Sequence, residues 1–133
     1  MRRIILSVVL ISATMPLLAS ASVVSQLQSE YQAAGAGPFT AAAGKTFWNS
    51  KHKNAKVGEQ RDCTGCHTNN LQSTGKHVRT GKEIKPMAPS VNPARLSDAK
   101  KVNKWFKRNC KWVLGRICTA QEKGDVLQFL SGQ

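Results

Sequence analysis

The feature that most constrains this chain is a single Cys-x-x-Cys-His motif, which runs from Cys63 through Cys66 to His67. Two thiols three residues apart, followed at once by an imidazole, are the attachment signature of c-type haem. Both cysteines then form thioether bonds and the histidine ligates the iron. One motif predicts one covalent haem c, held by Cys63, Cys66 and His67. A chain of 133 residues buries only a small apolar core, and a haem would add to that interior.

Two other kinds of site use a Cys-x-x-Cys pair, and both are alternatives here. A four-cysteine zinc site prefers a second close pair, whereas Cys110 and Cys118 lie eight residues apart. A thioredoxin-like redox site requires a βαβ context, and the sequence shows no such pattern. The histidine directly after the second cysteine therefore favours haem over zinc or thiol chemistry.

The N-terminal segment, residues 1–21, has the pattern of a cleaved signal peptide. Two arginines precede an apolar run, and the triplet Ala19 to Ala21 fits the small-x-small cleavage rule. The apolar run is short for a membrane span, so an uncleaved anchor is the less favoured alternative. We expect a periplasmic protein without a permanent membrane anchor, consisting of one monohaem domain over residues 22–133.

The charge of the chain is strongly positive, with 20 Lys and Arg against 7 Asp and Glu. Removing the two arginines of residues 1–21 lowers the net charge from +13 to +11. Such a balance indicates an acidic partner or simply a basic face in water. Outside the cytoplasm we expect no nucleic-acid partner.

The periodic stretches all have the helical period, and none alternates as a strand does, which predicts an all-α fold. The prolines and glycines between Thr68 and Pro93 exclude a long helix there, so we expect that segment to be an extended loop over a ligand. The stretch from Lys51 to Asp62 also has the composition of a loop. Helices are predicted over residues 22–34, from the Thr40 cap to Ser50, from a Ser97 cap onward, and from the Thr119/Glu122 capping box nearly to the C-terminus.

Four side chains are candidates for the second axial position on the iron. From local context alone Met87 leads, because its proline-flanked loop resembles the methionine loops of electron-carrying cytochromes c. His52 and His77 have polar surroundings and are expected to face solvent. Asn109 shares a helical face with apolar residues such as Trp105, and an amide buried on that face needs a partner.

The second cysteine pair constrains the chain near Asn109. A straight helix advances about 12 Å over eight residues, whereas the Cα atoms of a disulfide lie within about 7 Å. If Cys110 and Cys118 are bridged, the helix therefore ends and reverses between them, and Gly115 suits such a reversal. An exported protein favours the bridge.

With these residues in view, the chain resembles the sphaeroides haem protein family of bacterial cytochromes c. The resemblance implies a class I cytochrome c fold. It also implies that Asn109, rather than Met87, is the sixth ligand in the oxidised state, and that Cys110 and Cys118 form a disulfide. The matching stretches are Cys63 to His67, Arg79 to Ile84, Ala88 to Ser90, Lys104-Trp105, Arg108 to Cys110, Gly115-Arg116, Cys118-Thr119 and Glu122-Lys123.

The resemblance implies a function as well. A neutral amide oxygen is a hard, weak ligand that suits ferric iron better than ferrous iron, so reduction favours its release. The family is linked to a dihaem cytochrome c as electron donor. We therefore expect a monomer that accepts electrons from such a partner and binds or reduces a small ligand such as O₂, NO or an oxidised nitrogen species. The alternative is a plain electron carrier ligated by His67 and Met87.

Overall fold

A computed structural model describes residues 22–133, and it is mostly helical. The predicted signal peptide, residues 1–21, lies outside the described residues. The helices of the described part are α1 (Val23–Ala33), α2 (Ala41–Asn49), α3 (Thr64–His67), α4 (Ala99–Leu114) and α5 (Ala120–Ser131). This architecture confirms the all-α prediction. None of these helices is both long and apolar enough to cross a membrane.

The centre of the fold is the close crossing of α2 and α5, which is possible because residue 44 is glycine. A Cβ on Gly44 would lie 2.0 Å from the Asp125 carbonyl oxygen and 2.8 Å from the Phe129 Cβ. One turn further along α2, Trp48 is buried against Phe129. On its other side α5 packs against α1 through Leu127, which is fully buried.

The helix boundaries follow the capping residues closely. Ser22 and Thr40 cap α1 and α2, and Thr119 and Glu122 form both bonds of the capping box that opens α5, as predicted. The predicted Ser97 cap is wrong by one residue. Asp98 caps α4 instead, because its carboxylate accepts a hydrogen bond from the Lys101 N–H.

Two short antiparallel pairings interrupt the segments predicted to be loops. β1 (His52–Lys53) pairs with β2 (Gln60–Arg61), and β3 (Gly75–Lys76) pairs with β4 (Glu83–Ile84). Each strand has only two residues, so the sequence cannot show an alternating pattern. The two hairpins leave the fold class unchanged.

Candidate haem-binding site

The Cys-x-x-Cys-His motif forms the single turn of α3. The N–H groups of Cys66 and His67 both donate to the Cys63 carbonyl oxygen, at 3.3 and 3.1 Å. Just before the turn, one Asp62 carboxylate oxygen accepts from the Gly65 N–H at 2.6 Å and from the Thr64 hydroxyl. The turn places Cys63 and Cys66 three residues apart on one side of a helix, and both thiols are free.

His67 is held in an apolar environment next to Trp48. The two ring centroids are 5.3 Å apart. Burial, with a smaller contribution from the positive charge of Arg95, lowers the pKa of His67 to about 4. The imidazole is therefore neutral at ordinary pH, which is the form that ligates a metal. Its Nδ1 atom is buried without a hydrogen-bond partner among the described residues.

The second hairpin closes over the motif at one point, Gly75. A Cβ on Gly75 would lie 2.2 Å from the Cys66 carbonyl oxygen and 3.1 Å from the His67 Cα. Backbone therefore packs directly on backbone, and no other residue fits there without displacing α3. In the sequence Gly75 was notable only as a helix breaker, so this role was not foreseen.

These residues fit a covalent haem better than they fit either alternative. Burial raises the pKa of the Cys63 thiol to about 12, and nearby negative charge adds to the shift. A redox-active thiol has a lowered pKa. Among residues 22–133 no three His, Cys, Asp or Glu side chains converge as a metal-ion site would require. Two free thiols and a neutral, half-buried imidazole are the attachment and ligand groups of a c-type haem.

Met87 lies in a loop that is fixed by its backbone. The N–H groups of Met87 and Ala88 both donate to the Leu71 carbonyl oxygen at 2.9 Å. The Met87 side chain is partly buried and packs against the same apolar cluster as Cys63. The structure therefore keeps Met87 in the neighbourhood of the motif.

Arg95 fastens the Met87 loop, and sequence analysis did not single it out. Its guanidinium donates to the carbonyl oxygens of Lys85 at 2.6 Å and Pro86 at 3.0 Å. The Asn92 amide donates to the same Pro86 oxygen at 2.9 Å. An arginine a few residues after a proline-rich loop is the only signal that points to this clamp.

Asn109 lies on an exposed part of α4, which differs from the buried position considered above. Within residues 22–133 its side chain makes no hydrogen bond to another residue, and Trp105, one turn earlier, is 43% exposed. Trp112, one turn later, makes cation–π contacts with two arginines. The Arg61 guanidinium lies 3.7 Å and the Arg79 guanidinium 5.5 Å from its ring centroid. Trp105, Asn109 and Trp112 thus form an aromatic face of α4 that the described protein leaves partly uncovered.

The aromatic face lies near the haem-attachment motif. A Cβ on Gly65, inside the motif, would lie 3.9 Å from a methyl of Val78, and the next residue, Arg79, reaches Trp112. The motif therefore lies close to Val78, whose neighbour Arg79 contacts Trp112 in the C-terminal half of α4. The structure does not bring Asn109 into direct contact with His67.

Cys110 and Cys118 are joined in a disulfide with their Cα atoms 5.5 Å apart. Between them Gly115 ends α4 in the left-handed conformation, with φ of +73°. The chain therefore reverses at the residue that was expected to allow it. Asn109 immediately precedes this covalent closure.

The C-terminal end of α4 is also fastened by Asn54, a buried residue that sequence reasoning missed. The Asn54 amide donates to the Trp112 carbonyl oxygen at 2.7 Å, and its own oxygen accepts from the N–H groups of Lys56 and Val57. Arg61 donates to the same Trp112 oxygen at 2.8 Å. Carbonyl groups in the last turn of a helix lack partners within the helix, and these side chains supply them. A single asparagine in a lysine-rich stretch has no local pattern that predicts this role.

The two other histidines are not simply in solvent, contrary to expectation. His52 Nε2 lies 2.8 Å from the Phe47 carbonyl oxygen, and its ring stacks on Phe47 at 4.6 Å. His77 Nδ1 accepts from the N–H groups of Arg79 and Thr80 at 3.3 Å. Both imidazoles are therefore engaged in local structure.

The cations of α4 are not neutralised by carboxylates. The two ion pairs in the part of the chain that the structure describes join Arg61 to Glu59 and Arg116 to Glu122. The basic residues of α4 all lie outside these pairs, and all are exposed. They are Lys100, Lys101, Lys104, Lys107, Arg108 and Lys111.

Known proteins share both the sequence and the fold of this chain. A family model described as "Domain of unknown function (DUF1924)" matches residues 34–130. The cytochrome c-type protein SHP of Cereibacter sphaeroides is 41% identical over 132 residues, which are 99% of this chain and 98% of that protein. Cytochrome c'' of Methylophilus methylotrophus is 42% identical over 87 residues, 65% of this chain and 60% of that protein.

Solved structures agree with these relatives. The structure of oxidised SHP, described as an oxygen-binding cytochrome c, has a TM-score of 0.74 at 38% identity and covers 86% of this chain and 100% of its own. Oxidised cytochrome c'' from Methylophilus methylotrophus has a TM-score of 0.69 at 33% identity and covers 82% and 93%. These neighbours confirm the predicted cytochrome c fold.

Proposed function

Because the chain belongs to the sphaeroides haem protein family of c-type cytochromes, with its DUF1924 domain, we propose that it is a ligand-binding cytochrome. It carries one covalent haem c, as its relatives do. We propose that it accepts electrons from a dihaem cytochrome c and binds or reduces O₂, NO or a related oxidised nitrogen species. SHP is described as oxygen-binding, and this description supports a gaseous ligand here.

The haem-binding residues in this proposal are Cys63, Cys66 and His67. The two thiols are free and sit on one turn, which suits two thioether bonds to one porphyrin. His67 is half-buried and neutral, so its imidazole needs no deprotonation to ligate iron. When bound, the haem supplies one-electron chemistry and a site for a small axial ligand.

The observation that carries the ligand-binding function is the position of Asn109. Its side-chain amide is held on α4 directly before the Cys110–Cys118 bridge, and it has no hydrogen-bond partner among the described residues. A free amide oxygen on a covalently braced helix is available as a ligand. Because it is a weak, hard ligand, it favours ferric iron and is displaced more readily after reduction.

The remaining parts of the proposal concern location and partners. The signal-peptide pattern of residues 1–21 supports export to the periplasm, where residues 22–133 would form a single monomeric domain without a membrane anchor. The unpaired cations of α4 support an electron donor with an acidic surface, since opposite charges accelerate encounter. Such an encounter slows as salt is added.

The test compares Asn109→Ala with the unchanged protein by optical and EPR spectroscopy, in both oxidation states, with and without CO. If Asn109 is the sixth ligand, the ferric spectrum of the variant becomes high-spin, while the ferrous protein binds CO with or without the substitution. Asn103→Ala is the matched control. Its side chain lies on the same helix but accepts a hydrogen bond from the Tyr31 hydroxyl, so its ferric spectrum should stay unchanged.

A second candidate function is plain electron transfer with His67 and Met87 as ligands. The packing of Met87 against the same cluster as Cys63 favours it. In that case Asn109→Ala leaves a low-spin haem that does not bind CO, and Met87→Ala makes the sixth coordination position available to CO. That pair of results would overturn the ligand-binding proposal.

A further inference from the structure

A cavity of about 280 Å³ opens beside the Cys110–Cys118 disulfide. Both cysteines line it, although each is otherwise almost fully buried, at 5% and 6% exposure. One water molecule needs only about 15 Å³ of such space, so the cavity admits a small organic molecule or a cysteine side chain. The bridge therefore has an approach from solvent.

The cavity wall combines apolar and cationic groups. Phe106 and Ile117 form apolar parts of the wall, and Ile117 is 61% exposed. Lys107 and Lys123 also line it, and neither is in an ion pair within the described chain. The Lys123 Nζ lies 4.4 Å from the Tyr31 ring centroid. No carboxylate lines the cavity. An anion approaching the sulfur atoms, such as a thiolate, therefore meets only positive charge.

The two sulfur atoms differ in their surroundings. Cys118 immediately precedes Thr119, the N-cap of the twelve-residue helix α5, whereas Cys110 lies near the C-terminal end of α4. The positive end of a helix dipole stabilises a thiolate, and the negative end does not. Cys118 is therefore the better leaving group of the pair.

We propose that this cavity is a thiol–disulfide exchange site at which an external dithiol reduces the Cys110–Cys118 bridge. The incoming thiolate attacks the Sγ atom of Cys110 and forms a mixed disulfide, while the S–S bond breaks and Cys118 leaves as a thiolate. The second thiol of the reductant, as its thiolate, then attacks the sulfur atom of the first and releases Cys110 as a thiolate. Cys110 and Cys118 each take up a proton, and the dithiol ends as its own disulfide.

Reduction at this site acts on Asn109, an inference that rests on the proposed function. The bridge holds the Cα atoms of Cys110 and Cys118 at 5.5 Å across the reversal at Gly115. Once it opens, only packing and hydrogen bonds hold the last turn of α4. Asn109, one residue before Cys110, then moves more freely, and its exchange against an external ligand becomes faster.

The experiment treats the haem-loaded protein with dithiothreitol, traps free thiols with iodoacetamide and counts the alkylated cysteines by mass spectrometry. The Soret and circular dichroism spectra, recorded in parallel, show whether the protein stays folded. Lys107→Gln and Lys123→Gln should each slow reduction several-fold. Lys104→Gln, an exposed lysine of α4 outside the cavity wall, is the matched control and should react at the unchanged rate.

A second arm measures azide binding to the ferric protein, before the bridge is opened and again after its thiols have been alkylated and the iron reoxidised. The proposal expects two alkylated cysteines in folded protein, followed by faster azide binding. Reduction that begins only on unfolding, or equal rates in the Lys107, Lys123 and Lys104 variants, overturns the exchange site. Two alkylated cysteines with an unchanged azide rate overturn the effect on Asn109 and leave the exchange site standing. Neither result depends on whether Asn109→Ala alters the ferric spectrum, so failure of the ligand assignment is recognised separately.

Discussion

Substituting Gly44 by alanine tests the close crossing of α2 and α5. The new Cβ would lie 2.0 Å from the Asp125 carbonyl oxygen, whereas ordinary contacts begin at 3.4 Å. The helices must therefore separate by more than 1 Å, since the obstructing atom belongs to the backbone and cannot rotate away. A gap of about 1 Å forfeits up to half of the dispersion energy of the atoms that line it.

The expected loss of stability follows from two opposed terms. Overpacking in a core costs about 1–3 kcal/mol, and a backbone obstruction puts this position at the upper end. Alanine in place of glycine within a helix returns about 1 kcal/mol. We therefore expect Gly44→Ala to lower the free energy of unfolding by about 2 kcal/mol. Trp48, one turn further along α2, also shifts against His67, so the Soret band should change.

The assay is guanidinium chloride unfolding of the haem-loaded protein, followed by far-ultraviolet circular dichroism. Gly132→Ala is the matched control. A Cβ there meets nothing closer than 3.9 Å, so its unfolding midpoint should stay within error of the unchanged protein. If Gly44→Ala proves as stable as Gly132→Ala, the contact between α2 and α5 is not the constraint described above.

Three further predictions concern the buried tyrosine of α1, the disulfide and the N-cap of α5. The chain has a single tyrosine, and burial, reinforced by a nearby negative charge, raises the pKa of Tyr31 to about 12. Burial of the neutral phenol therefore stabilises the folded protein. This stabilisation is fully present below about pH 10 and is lost as the pH rises through 12, where the buried phenol ionises. Phenolate absorbance measured against pH checks this, and a midpoint near 10 would contradict it. Replacing both Cys110 and Cys118 by serine removes a cross-link between residues eight positions apart and so raises the entropy of the unfolded chain. The free energy of unfolding should fall by about 2.5 kcal/mol and the Tm by roughly 10 °C. Calorimetry that shows no shift would exclude an entropic role for the bridge. Thr119→Ala removes the acceptor of the Glu122 N–H and should cost about 1 kcal/mol in chemical unfolding, while Thr119→Ser should restore most of it.

The parts of the fold that the sequence predicts best are those governed by local chemistry. The Thr119 capping box requires only residues three apart, and the structure contains both of its bonds. The reversal at Gly115 follows from the reach of a disulfide and from the freedom of glycine at positive φ. In such cases the physical cause lies within a few residues of its effect.

The parts that the sequence misses depend on contacts between distant segments. Asn54 bonds to carbonyl oxygens more than fifty positions away, and no local pattern distinguishes it from a surface asparagine. Arg95 resembles any loop arginine until the chain folds back over Pro86. The haem motif could be recognised because its three reactive side chains lie within five consecutive residues, 63–67.

The two halves of α4 are held by different kinds of contact, and together these limit how the helix can move. Its first half packs through Ala99, Val102 and Phe106 against a buried cluster of α1 and α5, whereas its last turn is held by Asn54, by Arg61 and by the bridge at Cys110. A helix that is fixed along its length does not shift as a whole. Asn109 lies next to the bridge. If Asn109 ligates the iron as proposed, its release would therefore be a rotation of its own side chain, which leaves the helix in place and ready for the amide to return.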